Sequence, residues 1–293
     1  KIAVLLYGVA HGHLVKNETP EVERRVPLCV DGVPWVATVT SAGEGGMAKV
    51  FTHLFVPGME APITKGVGGF DTHHRGVFLG WWRTDARGKQ FDSWHIKKCG
   101  QYCVRHDDAG SCFEVEWRDG EGRAFLRETR TLACRPARDG ARILDVATRL
   151  CAVEDTVRLR GDSHHAGVQI RLANEVCRHP WSTRFTLPDG ARALGDDTFS
   201  KASWACCHAT VAGRRVSVLH LTGPAEPPLD EVVYGTRGYG LFGASFPAEV
   251  PPAAALSLRF RVVWRESELD AAACASYFEE YTTSFSGKES TCG

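Results

Sequence analysis

The sequence predicts an all-β protein: a large antiparallel β-sandwich with one C-terminal helix at about 268–281. Three observations lead there. Short runs of similar length alternate apolar and polar residues, the period-2 signature of strands that bury one face. Asp-Gly and related turn dipeptides separate these runs. Only one stretch, close to the C terminus, carries a helical apolar stripe. Successive strands with a single terminal helix fit a sandwich better than alternating βαβ units.

Taken in order, an apolar run at 2–7 is a first strand candidate. His11 and His13 follow at a spacing that points both imidazoles the same way on a strand, as a metal pair would; a surface loop is the commoner alternative. Residues 26–39 read as strand, Asp31-Gly32 turn, strand. Another strand at 51–56 is ended by Pro57-Gly58. The flexible Gly66-Val67-Gly68-Gly69 then leads into Asp71-Thr72-His73-His74-Arg75-Gly76 and a strand. In that strand Val77, Leu79 and Trp81 share one face, and Phe78, Gly80 and Trp82 the other.

Residues 85–90 read as a polar loop ahead of Phe91-Asp92-Ser93-Trp94-His95. The next strand sets Phe113, Val115 and Trp117 against Glu114, Glu116 and Arg118. Strands at 123–134 and 142–153 flank the turn Arg138-Asp139-Gly140. Over 167–176, Val168, Ile170 and Leu172 alternate with Gln169, Arg171 and Ala173. Strands at 203–210, 215–221 and 255–264 follow, and in the last Leu256, Leu258, Phe260, Val262 and Trp264 make an unbroken apolar face. Residues 224–228, 234–240 and 247–252 read as loops. The helix starts near Glu268 under a Ser267 cap, with Ala271, Cys274, Phe278 and Tyr281 as its stripe. No linker, low-complexity segment or tandem repeat interrupts the chain, so 1–293 are expected to form a single domain.

The 293 residues carry 35 basic and 35 acidic side chains. Such a balance offers no broad basic field, which argues against nucleic acid or a charged membrane as the main partner. No apolar run approaches the roughly 18 residues that a membrane span requires. Eleven cysteines would partly pair in an exported protein, leaving at least one free; in the cytosol they would serve as small buried residues. The chain starts at Lys1 without a methionine, and an extracytoplasmic setting, periplasmic or secreted, is slightly favoured over a cytoplasmic one. No CxxC pair occurs, so a structural zinc site of the usual spacing is absent.

Two adjacent imidazoles and a fixed guanidinium, placed where a glycine-rich loop enters a strand, make a station for acid/base work or anion binding. The bland alternative is one packed and one solvent-facing histidine. His164-His165 repeat the arrangement after Gly161-Asp162-Ser163 and before the strand of Arg171, with a solvated turn as its alternative. Trp94-His95 pair an aromatic platform with an imidazole, and the loop 234–240 presents Arg237 and Tyr239. This set is rich in histidine and arginine and poor in carboxylates. It suits proton transfer at a sugar carbon or recognition of a uronate carboxylate. It suits a glycosidase built on two carboxylates less well. No Walker A, dinucleotide fingerprint, GxSxG or HExxH is present.

The expected function is therefore a carbohydrate-active enzyme acting by hydrolysis, β-elimination or epimerisation of a saccharide. His74 and His165 exchange protons, with His73 and Tyr239 as further catalytic candidates. Arg75, Arg171, Trp94, His95, His164 and Arg237 bind the substrate. No metal ligand is assigned and the cofactor is unknown. Convergence of three or four of His53, His73, His74, His95 and His165 on a divalent metal is one alternative. A non-catalytic sugar-binding or structural β-sandwich is another.

From Lys65-Gly66 through Asp71-Thr72-His73-His74-Arg75-Gly76-Val77-Phe78-Leu79-Gly80-Trp81 to Phe91-Asp92-Ser93-Trp94, the chain resembles a bacterial family of unknown function. That family is labelled PmoA-like, after a methane oxygenase subunit, and its usual string is roughly D-H-P-H-H-R-[GS]-L-[WF]-F. The resemblance continues in Gly161-Asp162-Ser163-His164-His165-Ala166-Gly167-Val168-Gln169-Ile170-Arg171, similar to G-D-T-K-E-G-G-x-x-I-R. It extends to the strand at 213–218, to Arg237-Gly238-Tyr239-Gly240, similar to R-x-Y-G, and to the last strand and helix, spanning about 26–281. It implies a galactose-mutarotase-like β-supersandwich associated with carbohydrate degradation. The methane-oxygenase label sits badly with a chain that has no membrane segment. Asp71 and Thr72 replace the family's histidine and proline, and His164-His165 replace Lys-Glu. A glutamate that would serve as general base is thus absent; either His165 takes over its role or the activity differs.

Overall fold

The computed structural model describes residues 23–42, 48–190 and 198–286. The run at 2–7 and the His11/His13 pair lie outside them. The architecture is the expected antiparallel sandwich, built from two eight-stranded sheets and a third of four strands. The first sheet runs, in spatial order, Glu23–Val30, Val33–Ala42, Phe51–Leu54, Val77–Leu79, Val168–Arg171, Leu241–Ser245, Val233–Arg237 and Thr198–Lys201. The second runs Arg184–Thr186, Trp204–Val211, Arg214–Thr222, Ala255–Glu266, Arg142–Ala152, Ala124–Pro136, Cys112–Asp119 and Cys99–His106. The small sheet contains Ala248–Val250, Val157–Arg160, Arg83–Ala86 and Lys89–Phe91.

Period-2 alternation decides the layering. Val36, Leu54, Val77, Leu79 and Ile170 of the first sheet mesh with Phe113, Leu132, Val146, Phe260 and Val262 of the second in one core. The outer face of the second sheet is covered by the C-terminal helix, Ala271–Ser286, whose Cys274, Tyr277 and Tyr281 pack on Ile143, Leu219 and Val263. The outer face of the first sheet carries Val39, Phe51, Phe78 and Leu241 beneath Trp94. That face holds the candidate site. No helix among the described residues is long and apolar enough to cross a membrane. The ten described cysteines are free thiols.

Several elements differ from expectation. Residues 85–90 form a hairpin, Arg83–Ala86 with Lys89–Phe91, because Arg87 and Gly88 both take positive φ (52° and 65°) and close a tight turn. Cys99–His106 and Val157–Arg160 are strands that the alternation did not single out. The run 167–176 splits into strand Val168–Arg171 and a short helix, Asn174–Arg178. Residues 234–240 are mostly strand: Val233–Arg237 turns through 238–240 into Leu241–Ser245, with Tyr239 on the turn. Ala248–Val250 pairs within the expected loop 247–252. Ser267 does not cap the C-terminal helix; the Asp270 carboxylate does, accepting from the Ala273 N–H at 2.8 Å. Ala271 faces solvent, and Tyr277 takes its place in the buried stripe.

Candidate functional site

Three turns meet on the outer face of the first sheet. Each has the sequence Asp-(Ser or Thr)-X-His: Asp71-Thr72-His73-His74, Asp92-Ser93-Trp94-His95 and Asp162-Ser163-His164-His165. An Asx or backbone turn closes each one. His74 N donates to Asp71 O at 2.8 Å, His95 N to the Asp92 carboxylate at 2.8 Å, and His165 N to Asp162 O at 3.2 Å. The turn brings the aspartate back to its histidine. Asp92 meets His95 Nδ1 at 2.8 Å and Asp162 meets His165 Nδ1 at 2.8 Å, while Asp71 stands 3.7 Å from His74 Nδ1.

The stretch Gly76–Trp82 holds the three turns together. Gly76 donates to Lys65 O, Gly80 to Gly167 O and Trp82 to His165 O, while Ser93 and Trp94 both donate to Trp81 O. Two glycines make the fit. Gly76 has φ +41°, and a Cβ there would stand 2.5 Å from Thr52 O. Gly167 has φ +76°, and a Cβ would stand 2.1 Å from Ala244 O. Neither contact is tolerable for a larger residue.

The result is one cluster of rings. His73 lies 4.1 Å from His74 and 4.5 Å from His95, centroid to centroid. His95 lies 5.3 Å from His165, and His164 5.6 Å from His165. His74 is buried, with Phe78 and Tyr239 nearly parallel to it and Trp94 edge-on at 5.7 Å. The two histidine pairs thus converge. All ten expected site residues fall in this region: His73, His74, His95, His164, His165, Arg75, Arg171, Arg237, Trp94 and Tyr239. Trp94 is buried, so the exposed indole at the rim belongs to Trp82, 39% exposed and 6.3 Å from His165. His53 stays outside the cluster, bonded to Thr64 and Glu23 beside a groove of about 450 Å³.

Beneath the rings lie five buried basic side chains: Lys49, Lys65, Arg75, Arg171 and Arg237; burial lowers the Lys49 pKa well below the usual lysine range. Their hydrogen bonds go to carbonyls of the site turns. Lys49 Nζ donates to His73 O (3.0 Å) and Trp94 O (2.7 Å), and Lys65 Nζ to His74 O (3.0 Å). Arg75 Nε donates to Thr72 O (2.8 Å), Arg237 to His164 O (2.5 Å), and Arg171 to Tyr239 O and Cys177 Sγ. Bonds from the charged guanidinium groups contribute about 1.5–3 kcal/mol each. These five side chains therefore act as posts that fix the turns.

They also set the protonation of the rings. Burial, reinforced by Lys49 and the neighbouring imidazoles, brings His73 down to about 3. Burial, then His73 and Arg171, holds His74 well below the usual histidine range. Burial lowers His165 despite the opposing pull of Asp162. Lys65 falls to about 7 through burial and the neighbouring arginines. The imidazoles named here are neutral at pH 7, and thus able to accept a proton or a hydrogen bond. No group of three or more His, Cys, Asp or Glu side chains is arranged to hold a metal ion among the described residues.

Lys49, Lys65, Asp92 and Asp162 are parts of the site that the sequence reading passed over. The threefold Asp-(Ser/Thr)-X-His pattern was the available signal for the aspartates. Nothing in the sequence marked the lysines.

Three solved structures resemble the chain weakly. A GH36 α-galactosidase, AgaA A355E from Geobacillus stearothermophilus, aligns at 10% identity and TM-score 0.44, over 85% of this chain and 41% of its own. A polysaccharide lyase aligns at 13% identity and TM-score 0.38, over 87% and 34%. A GalM/aldose epimerase homologue from C. elegans aligns at 10% identity and TM-score 0.37, over 85% and 100%. The chain thus spans about 41% of the α-galactosidase's length. At such scores these likenesses carry no argument about activity. No curated protein matches the chain by sequence. A family model does match, over residues 26–279; its description is one of unknown function, without the methane-oxygenase label, and the chain belongs to that family, DUF6807.

Proposed function

We propose that the chain is a carbohydrate-active enzyme that moves protons on a saccharide by histidine acid/base chemistry, in a hydrolysis, β-elimination or epimerisation. One observation carries this reading: the Asp162–His165 pair stands in one ring cluster with His95 at 5.3 Å and Trp94 at 5.6 Å, the latter packed on the uncharged His74. Asp162 fixes the proton on Nδ1 of His165, which leaves Nε2 as the basic atom, as in other carboxylate-oriented histidines. His74 has a depressed pKa, so any proton it receives is readily returned. His73 and Tyr239 complete the wall. Trp82 offers an exposed stacking face, and the arginines position the turns and face the substrate's polar groups. The test is incubation with neutral and acidic oligosaccharides, with products read by mass spectrometry. Turnover of at least one is expected; no turnover across the panel contradicts the proposal.

The protonation state makes a second prediction. A general base must be deprotonated, and burial places His165 below 6.5. The acid limb of kcat/KM therefore lies below pH 6.5. Asp162 raises the His165 pKa, so Asp162→Asn moves the limb to lower pH and reduces kcat. A limb above pH 6.5, or one that Asp162→Asn leaves in place, contradicts the assignment of His165.

A second reading, a metal-dependent enzyme using the same histidines as ligands, draws only on the neutral state of His73 and His165, since no three such side chains are arranged to hold a metal among the described residues. The three buried guanidinium groups of Arg75, Arg171 and Arg237 oppose a dication there. Metal analysis of the purified protein separates the two readings.

A further inference from the structure

We infer that the ring cluster around His74 takes an acidic saccharide, its carboxylate turned towards the unmatched donors of Arg171 and Arg237. This deepens the carbohydrate reading above and rests on it.

The strand register puts the two arginines together. Arg171 and Arg237 both pair with Leu241, so they flank one strand at the same level on the outer face. Both are buried, at 0% and 2% exposure. Each keeps an Nε–H without an acceptor, although Arg171 Nη1 and Nη2 and Arg237 Nη2 are engaged with loop carbonyls and Cys177. The indole N–H of Trp94, 5.7 Å ring to ring from His74, also lacks an acceptor, and neither ring nitrogen of His74 has a hydrogen-bond partner. Guanidinium and indole nitrogens are obligate donors. Native proteins rarely leave such groups buried and unmatched, and where they do a ligand or ion commonly explains it.

Charge decides the kind of acceptor. Elsewhere among the described residues two of the three buried arginines meet a carboxylate, Arg130 with Glu128 at 2.7 Å and Arg261 with Asp145 at 2.6 Å, while Arg142 donates to Phe55 O. At the site, Lys49, Lys65, Arg171 and Arg237 are given carbonyls. Of the nearby carboxylates, Asp92 and Asp162 are occupied by their own histidines, and the half-exposed Asp71 stands 3.7 Å from His74. A sugar hydroxyl would satisfy the donors singly, whereas a carboxylate satisfies two donors and offsets the buried positive charge. The neutral imidazoles let an anion enter without a competing internal partner, and the rim indole of Trp82 suits the sugar ring.

The test is calorimetric titration of the full chain with glucuronate, galacturonate and mannuronate trisaccharides, their neutral counterparts, and inorganic phosphate. At least one acidic trisaccharide should bind tenfold or more tightly than its neutral counterpart. Arg237→Gln and Arg171→Gln should each erase most of that preference. Equal affinity for acidic and neutral sugars overturns the inference and leaves the carbohydrate reading standing. Binding of neutral sugars alone overturns it in the same way. Phosphate bound as tightly as the acidic sugars, with neutral sugars unbound, overturns it as a saccharide site and removes the carbohydrate reading too. Should either variant fail to fold, the wild-type comparison alone decides.

Discussion

His165→Ala lowers turnover of the responsive saccharide by about 100- to 10,000-fold, the range for loss of a positioned general acid or base. The side chain is 34% exposed and its anchor is the adjacent Asp162, so the fold should hold and the melting temperature change little. His74→Ala is expected to lose a similar factor, through a different physical route. That ring is buried between Phe78 and Tyr239, and truncation leaves a cavity that costs about 1–3 kcal/mol. His74→Asn, which keeps more of the volume, distinguishes lost chemistry from lost packing. Wild-type turnover in both His165→Ala and a folded His74 variant would remove both residues from the mechanism.

Glu128→Ala destabilises the protein by about 3–5 kcal/mol, the cost of stranding a buried charge. Glu128 is 2% exposed and accepts three bonds: from Arg130 Nε at 2.7 Å, Thr148 Oγ1 at 2.9 Å and Trp117 Nε1 at 3.0 Å. Removing it leaves a buried guanidinium, an indole N–H and a hydroxyl without that acceptor. Arg130 also donates to Val50 O, next to Lys49, while the Gln101 side chain bridges Val50 N and Leu79 O. The polar network of the second sheet therefore reaches the floor of the site. Urea unfolding measures the loss, and the double change Glu128→Leu with Arg130→Met should recover much of it. A loss below about 1 kcal/mol for Glu128→Ala would show that the guanidinium finds other partners.

Where alternation was strict, the sequence reading matched the structure. The face Leu256, Leu258, Phe260, Val262 and Trp264 enters the central core as expected, and Val77, Leu79 and Trp81 part from Phe78 as the period-2 rule requires. Alternation says little where both faces of a strand are buried. Val168–Arg171 and Leu241–Ser245 are covered above and below, so polar residues such as Arg171 and Gln169 stand where alternation implies solvent. Glycine misled the reading. Gly235 and Gly243 face each other across a strand pair under the 161–167 turn, where side chains would not fit; in sequence they suggest a loop. Histidine pairs at the head of strands were legible, and so were the arginines beside them. Their convergence was not, because it depends on the backbone bonds of Gly80 and Trp82 to the 165–167 turn, which join residues far apart in the chain. The buried lysines could not be read either, since Lys49 and Lys65 resemble surface residues until the sheet closes beneath them.

The most direct test of the central claim is a crystal structure of the protein soaked with the tightest-binding oligosaccharide. The account predicts a sugar ring in contact with His165, with Trp82 at the rim and an acidic group turned towards Arg171 and Arg237. A sugar lodged instead in the groove of Glu23, His53 and Asn174, with the histidine cluster untouched, would contradict it.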